Sequence, residues 1–352
     1  MLIRHITGIA IGLAVLSGAA PARAGHFSDV FAFGDSLSDV GNLYAFAQEA
    51  HAMNPQVLVF PLPPYSNGQF SNGPVWVQDL AVALGNGPLT PAAINGNDYA
   101  VGGAQSGLTY VNSDPYRIDL PDQLIAFLAD HSSAPSNALY TLSVGGNDLL
   151  AVLQDVQQKV LQNGLSPADA QTEVEHVAQQ AVSNIAGFAA FLAVGGAHNF
   201  LVMNVPDLGV TPYVMANGAA AAGFATAASR YFNTYLATVL AQVGNAYSLN
   251  INIIDSFSLI DNIVANPAGY GFTDATTPCW PGDLYGNGTT CAPSAAAQDT
   301  YLFWDQEHPT ESGHALIAKA GLELVAEPAT AWLMAPALLG LAALYRRRGQ
   351  AI

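Results

Sequence analysis

A serine near the start of the chain and an aspartate and a histidine near its end have the side chains that nucleophilic catalysis needs. Ser36 follows an apolar run, and Asp305 lies three residues before His308. A serine hydroxyl is a weak nucleophile until a base accepts its proton, which an imidazole of reference pKa about 6.5 can do near neutrality. The carboxylate would orient the ring and stabilise the imidazolium. Taken singly, Ser36 could instead cap a helix, and Asp-x-x-His could supply two metal ligands, although no nearby residue completes a coordination shell.

Two glycine-containing segments could supply donors to a developing oxyanion. Gly102 and Gly103 follow one apolar run, and Gly146 and Asn147 follow the next. Glycine lets a backbone N–H approach a substrate closely, and an amide side chain can donate to negative charge. Read singly, each glycine pair is more often a tight turn. Their positions at the ends of consecutive predicted strands favour a function.

Together, these segments resemble the SGNH (GDSL) family of serine hydrolases, and they occur in the family's order. The matching segments are Gly34-Asp35-Ser36-Leu37-Ser38, Gly102-Gly103, Gly146-Asn147-Asp148 and Asp305-x-x-His308-Pro309. The resemblance covers about residues 30 to 325. It implies a flavodoxin-like three-layer α/β/α sandwich with a five-stranded parallel sheet, and an ester hydrolase that uses no cofactor and no metal.

The resemblance also implies a catalytic triad and three oxyanion donors. In the triad, Ser36 attacks the acyl carbon, His308 is the base and Asp305 is its partner. The oxyanion donors are the backbone N–H of Ser36 together with Gly103 and Asn147. The second glycine of its pair is chosen because it lies further out at the turn.

The α/β-hydrolase fold is the nearest competing interpretation. Its nucleophile lies in Gly-x-Ser-x-Gly, whereas the run from Gly34 is Gly-x-Ser-x-Ser. Ser36 also follows the first predicted strand, and the carboxylate lies only three residues before the histidine. These differences favour the GDSL interpretation.

Apolar runs alternate with segments of helical periodicity, which predicts a parallel sheet with helices on both faces. The predicted strands are Val30 to Phe33, Asp98 to Val101, Ala138 to Val144, Asn199 to Val205 and Ile251 to Asp255. The predicted helices are Val75 to Leu84, Leu120 to Ala129, Pro167 to Ala193, Ala219 to Val243 and Glu311 to Leu324. Ligands bind outside the carboxyl ends of such strands, so the motif-bearing turns should meet at one edge. The aperiodic residues Ile263 to Thr300 are expected to form a binding loop or lid.

The chain is strongly acidic. Its 352 residues include 9 Lys plus Arg and 26 Asp plus Glu, for a formal net charge of −17 at pH 7. An acidic surface repels phosphate backbones, so nucleic acid is not expected as a partner. The charge fits a solvated surface better than recruitment of a cationic substrate.

The N-terminal residues 1 to 24 have the pattern of a signal peptide. Arg4 precedes the apolar run Ile9 to Leu16, and Ala22-Arg23-Ala24 is a small-x-small site that a signal peptidase can cleave. The sequence therefore predicts export. A hydrolase domain is expected over residues 25 to 326.

Residues 327 to 352 resemble the PEP-CTERM sorting tail of Gram-negative bacteria. Ala329 to Tyr345 is apolar, follows Glu327-Pro328 and precedes three arginines. The resemblance implies transient membrane anchoring and processing by an exosortase-type enzyme, which would leave the protein periplasmic, on the cell surface or extracellular. Ala326 departs from the pattern, since a proline is usual there. An ordinary core or amphipathic helix is the alternative.

Cys279 and Cys291 are the two cysteines of the sequence. Export and an even count predict a disulfide between them. A metal site is the competing interpretation, but no histidine lies within the loop.

Three functions remain in competition. The first is an exported esterase or lipase acting on short or medium acyl esters. The second is a deacetylase of extracellular polysaccharide, which the tail resemblance suggests. The third is a surface or matrix protein that kept the fold and lost catalysis.

Overall fold

A computed structural model describes residues 27–107 and 117–326. The predicted signal peptide and sorting tail lie outside these residues.

The described part of the chain is built on a parallel sheet of four strands, in the order β1-β2-β3-β4. The strands are β1 (Val30–Gly34), β2 (Leu139–Ser143), β3 (Asn199–Met203) and β4 (Asn250–Ile254). The last residues of the four strands pair in register: Gly34, Ser143, Met203 and Ile254. The turns that follow them therefore begin along one edge of the sheet.

The structure corrects the predicted five-stranded sheet to four strands within the described residues. The run Asp98 to Val101 lies beside β1 and is hydrogen-bonded to it at Ala32 and Gly34, but it forms only isolated bridges. On its outer side Asp98 bridges to Pro91, whose nitrogen has no hydrogen to donate, so no regular ladder continues there. The run still occupies the outer position next to β1, which gives the 2-1-3-4-5 order of flavodoxin-like folds.

Ten α-helices surround the sheet within the described residues, and all five predicted helices are among them. The helices are α1 (Asn42–Met53), α2 (Trp76–Leu84), α3 (Leu120–Asp130), α4 (Gly146–Asn163), α5 (Pro167–Val194), α6 (Pro212–Met215), α7 (Ala219–Tyr247), α8 (Ser256–Ala265), α9 (Ala295–Gln298) and α10 (Glu311–Val325). Of the longer ones, α1, α4 and α8 were not predicted.

Alternate strand residues point to two separate cores, as the two-residue period of a strand requires. Phe31 and Phe33 of β1 pack with α3, α4, α5 and α7 on one face. Val30 and Ala32 pack with α2 and α10 on the other. A sheet buried on both faces explains the continuous apolar runs of the sequence. The three-layer α/β/α architecture of the SGNH hydrolase fold is thereby confirmed.

The predicted binding loop is partly regular structure. Within it lies β5 (Asp274–Pro278), which pairs in parallel with β6 (Tyr301–Phe303) directly after the loop. The predicted disulfide between Cys279 and Cys291 is present. Trp280 is buried beside this disulfide and stacks on Trp304, with ring centroids 6.5 Å apart. The stacking of Trp280 on Trp304 thus attaches the loop that the disulfide closes to the segment that follows β6.

The turn after β1 depends on a glycine, which gives a prediction for stability. Gly34 has φ +140, and a Cβ there would overlap the carbonyl oxygen of Ser143 on β2. We expect Gly34→Ala to lower the free energy of unfolding by roughly 2–5 kcal/mol, the sum of backbone strain and overpacking. The matched control is Gly164→Ala, with φ +69 and no atom within 4 Å, which should cost roughly 1–2 kcal/mol. Urea unfolding measures both, and equal losses would contradict the packing argument.

Candidate active site

Ser36, His308 and Asp305 form a continuous hydrogen-bonded chain at the carboxyl edge of the sheet. The Ser36 Oγ lies 2.7 Å from Nε2 of His308. Nδ1 of the same ring lies 2.8 Å from Oδ2 of Asp305. Ser36 is 8% exposed and follows β1 by two residues. The imidazole can therefore contact the hydroxyl with one nitrogen and the carboxylate with the other.

The tight turn after β6 positions both Asp305 and His308. The backbone N–H of Trp304 donates to the carbonyl of His308 at 2.7 Å, which closes the turn. Oδ1 of Asp305 accepts the backbone N–H groups of Glu307 and His308 at 2.9 and 2.8 Å. Burial alone would raise the pKa of Asp305, but the charge of His308 and these hydrogen bonds hold it below its usual value. The carboxylate therefore stays ionised beside the ring.

The same surroundings make His308 a stronger base than free imidazole. Burial alone would lower the pKa of His308, but attraction and hydrogen bonding to the Asp305 carboxylate raise it to about 9. Glu307 and Asp35 add to this effect. The ring is fixed from the side by Phe70, whose centroid lies 5.1 Å away. The arrangement stabilises the imidazolium that forms when the ring accepts a proton.

Tyr65 completes the surroundings of the carboxylate, and it was missed by the sequence interpretation. Its hydroxyl donates to Oδ2 of Asp305 at 2.8 Å. The ring is 4% exposed and lies edge-on to both Phe70 and Trp304. Burial and the neighbouring Asp305 raise the pKa of Tyr65 far above its usual value, so the hydroxyl remains a donor. No local pattern around Tyr65 indicated this contact, because the two residues are 240 positions apart.

The structure distinguishes the two glycines of the second motif. The backbone N–H of Gly102 donates to Oδ2 of Asp39 at 2.8 Å, so it is already engaged. Gly103 has φ +79, and a Cβ there would meet no atom within 4 Å. Within residues 27–107 and 117–326, the backbone N–H groups of Gly103 and Ser36 have no acceptor. Both residues line the same cavity.

Asn147 lies in that cavity as well, at the start of α4. One N–H of its amide donates to the carbonyl of Ala104 at 3.0 Å, which leaves the second N–H for another acceptor. The next residue, Asp148, accepts the backbone N–H and the hydroxyl of Ser106 at 2.9 and 2.7 Å. These contacts join the third motif to the turn of the second. The sequence-predicted triad and oxyanion donors are thus brought together at one edge.

A three-layer α/β/α sandwich with a serine, a histidine and an aspartate hydrogen-bonded at its carboxyl edge is typical of serine hydrolases. The described residues contain no group of three or more His, Cys, Asp or Glu side chains that could hold a metal ion. The chain belongs to the family of GDSL-like lipases and acylhydrolases, whose family model matches residues 30–320.

Curated relatives agree with this family. A GDSL esterase/lipase of Arabidopsis thaliana is 28% identical over 319 residues, which cover 82% of this chain and 85% of the relative. Thermolabile hemolysin of Vibrio parahaemolyticus is 26% identical, with 88% of this chain and 66% of the relative covered. Esterase EstA of Pseudomonas aeruginosa is 30% identical, and the match covers 90% of this chain but 49% of EstA. The chain is accordingly a hydrolase of the GDSL esterase/lipase family.

The hydroxyl of Tyr65 is open to a direct test by Tyr65→Phe. This change keeps the ring packing and removes one hydrogen bond to a carboxylate, which is worth about 1.5–3 kcal/mol. We expect part of this hydrogen-bond energy to stabilise the transition state, so kcat for ester hydrolysis should fall about 3- to 10-fold with KM unchanged.

Tyr140→Phe is the matched control for that change. The Tyr140 hydroxyl donates to the carbonyl of Pro135 at 2.9 Å, in a buried tyrosine that does not line the cavity. It should cost about 1 kcal/mol of stability and leave kcat unchanged. An equal fall of kcat in both variants would mean that Tyr65 acts only through stability.

Proposed function

We propose that the protein hydrolyses carboxylic esters through an acyl-enzyme on Ser36. The observation that carries the proposal is the unbroken chain from Ser36 Oγ through the His308 ring to the Asp305 carboxylate, with contacts of 2.7 and 2.8 Å. As Oγ attacks the acyl carbon, its proton passes to Nε2 of His308. The ring then gives that proton to the departing alkoxide, and the alcohol leaves.

The second half of the reaction repeats these roles with water. Nε2 of His308 accepts a proton from a water molecule, which attacks the acyl carbon. When the tetrahedral intermediate collapses, the bond to Ser36 Oγ breaks, the oxygen recovers a proton from the ring, and the carboxylic acid is released. Asp305 keeps its negative charge throughout and stabilises each imidazolium.

The oxyanion formed in each half would be held by the backbone N–H groups of Ser36 and Gly103 and by the amide of Asn147. Gly103 is favoured over Gly102 because the N–H of Gly102 already donates to Asp39. The second N–H of the Asn147 amide remains for the substrate. Removing one such donor typically costs about 10²–10³ in kcat.

Replacing the nucleophile tests the proposal. Ser36→Ala should lower kcat for p-nitrophenyl butyrate by about 10³-fold or more, because the acyl-enzyme can no longer form. Ser38→Ala is the matched control, since the Ser38 hydroxyl accepts the indole N–H of Trp76 at 3.1 Å, in the buried core. It should keep activity and labelling by a fluorophosphonate probe. Hydrolysis that survives in folded Ser36→Ala would overturn the proposal.

The basicity of His308 sets the pH dependence. The ring must be neutral to accept the proton of Ser36, and its pKa is raised to about 9. We expect kcat/KM to rise about tenfold per pH unit below that pKa and to level off above it. Asp305→Asn removes the main group that raises the pKa of His308, so the rising limb should move to lower pH while the plateau falls. A limb at unchanged pH would contradict the role of Asp305.

We also propose that the hydrolase is exported, with residues 1–24 as signal peptide and residues 25–326 as the mature hydrolase domain. The disulfide between Cys279 and Cys291 supports this, since disulfides persist in oxidising compartments. Residues 327–352 would act as a sorting tail that is anchored transiently in the membrane and removed by an exosortase-type enzyme. The removal of the tail and a Gram-negative source are inferred from the sequence resemblance.

The hydrogen-bonded triad supports the hypothesis of hydrolysis over that of an inert surface protein, because an inert protein would not need these contacts. Deacetylation of extracellular polysaccharide is supported only by the tail, so ester hydrolysis is the function proposed.

A further inference from the structure

An apolar groove continues from the candidate active site along the surface between α4, α6 and α7. Leu150 of α4 lines both the depression beside Ser36 and this groove, so the two are contiguous. The groove has a volume of about 410 Å³. Its walls include Leu153 from α4 and Phe224 from α7. The groove is thus reached from Ser36 through this depression, which Asp35 and Glu307 also line, and the connection calls for an explanation in terms of substrate.

No charged side chain lines the groove. None of its lining residues is Asp, Glu, Lys or Arg, although the formal net charge of the chain is −17. At its outer end Val160 and Leu161 are 41% and 77% exposed. Large apolar side chains grouped on a surface commonly mark a binding site. The chemistry of this surface fits an uncharged apolar chain.

The length of the groove is set by α4. From Leu150 to Leu161 the helix rises about 16 Å at 1.5 Å per residue. A short acyl group would leave most of that length empty.

A short bridge between helices forms part of the wall of the groove. The side-chain amide of Gln154 on α4 donates to the hydroxyl of Tyr213 on α6 at 2.8 Å. The backbone N–H of Tyr213 donates to the carbonyl of Gln306 at 2.9 Å, in the turn that carries His308. The helix α6 therefore connects the wall of the groove to the loop of the triad.

A second cavity meets the first at Ser36 and has a different character. It is lined by apolar side chains such as Phe70 and Leu284, but also by the carboxylates of Asp283 and Glu307, along with the triad. Carboxylates and polar groups there suit the alcohol part of an ester better than a hydrocarbon chain. An ester bound at Ser36 would extend in two directions, one towards a groove without charged side chains and one into a cavity lined by carboxylates.

We propose that the groove between α4, α6 and α7 holds the acyl chain of the substrate, so that the protein acts preferentially on long-chain acyl esters. The inference rests on the proposed function of Ser36 and extends the expected substrates beyond short and medium acyl chains. The acyl carbon lies at Ser36, the first methylene groups pass Leu150, and the distal chain lies along α4. The alcohol group occupies the cavity that Asp283 and Glu307 line.

Ala221→Trp tests this placement, since Ala221 lines the groove on α7 and is half-buried. An indole there would fill the groove beyond Leu150. We expect kcat/KM for p-nitrophenyl laurate to fall at least about tenfold, because burial of several methylene groups is lost, while that for the butyrate stays within about twofold. Ala237→Trp, at an exposed position of the same helix outside the groove, is the matched control and should change neither value.

A second variant changes an exposed residue, so it should not affect folding. Leu161→Glu places a charge at the exposed outer end of the groove. It should lower kcat/KM for p-nitrophenyl palmitate several-fold more than for the butyrate. Equal effects on both esters would overturn the acyl placement.

Further measurements distinguish an acyl chain in the groove from an alcohol chain and from a lipid surface. Dodecyl acetate has the long chain on the alcohol side, so a selective loss on it in Ala221→Trp would overturn the proposal in favour of an alcohol-chain site. If Leu161→Glu abolishes binding of the folded protein to phosphatidylcholine vesicles without changing laurate or palmitate kinetics, the groove is a lipid-surface contact, and the proposal is likewise overturned.

The outcome for the groove is independent of the outcome for the nucleophile. Butyrate hydrolysis that requires Ser36, with laurate kinetics unaffected by Ala221→Trp, would overturn the groove and leave the proposed function intact. Butyrate hydrolysis that survives in Ser36→Ala would instead overturn the proposed function itself.

Discussion

Parallel pairing in register brings the last residues of four strands to one edge, and the candidate active site depends on this alignment. Ser36 follows Gly34 by two residues, and Asn147 follows Ser143 by four. The Gly103 turn begins from the run held against β1. Each of these groups therefore needs only a short turn to reach the cavity. His308 is the exception, since it comes from the turn after β6, outside the main sheet, and meets Ser36 across 272 positions of sequence.

Buried carboxylates keep these turns in place, and their surroundings give them different properties. Asp39 is fully buried and accepts four backbone N–H groups, from Gly41, Asn42, Leu43 and Gly102. Burial raises the pKa of Asp39 to about 6, against the lowering effect of these donors. Asp305 is also buried, but the adjacent His308 keeps its pKa low. One carboxylate thus organises backbone, and the other polarises a base.

Local patterns in the sequence were sufficient for the elements with long apolar stripes and for the motif residues at strand ends. They failed mainly where the determinant is not local, although α8 was missed despite the local cap of Asp255, whose side chain accepts the backbone N–H of Ser258. Helix α1 begins at Asn42 without a side-chain cap, and α4 begins inside the third motif, so neither had an independent start signal. Tyr65 belongs to the site only because the fold brings it to Asp305. The groove escaped detection for the same reason, since its walls come from α4 and α7, which are far apart in sequence.

The contrast between the two cavities at Ser36 also bears on how a reaction there would end. In the proposed mechanism His308 protonates the departing alkoxide, so the oxygen of the alcohol must come within reach of Nε2, and His308 lines the cavity assigned to the alcohol. The other product of that reaction is a carboxylic acid, which is ionised at the pH at which the base is neutral. A carboxylate formed beside Glu307 and Asp35 in a chain of net charge −17 is repelled, and repulsion acts over about 10 Å at 0.1 M salt. The acidic surface, which gives no attraction for an anionic partner, thus favours release of the acid that hydrolysis produces.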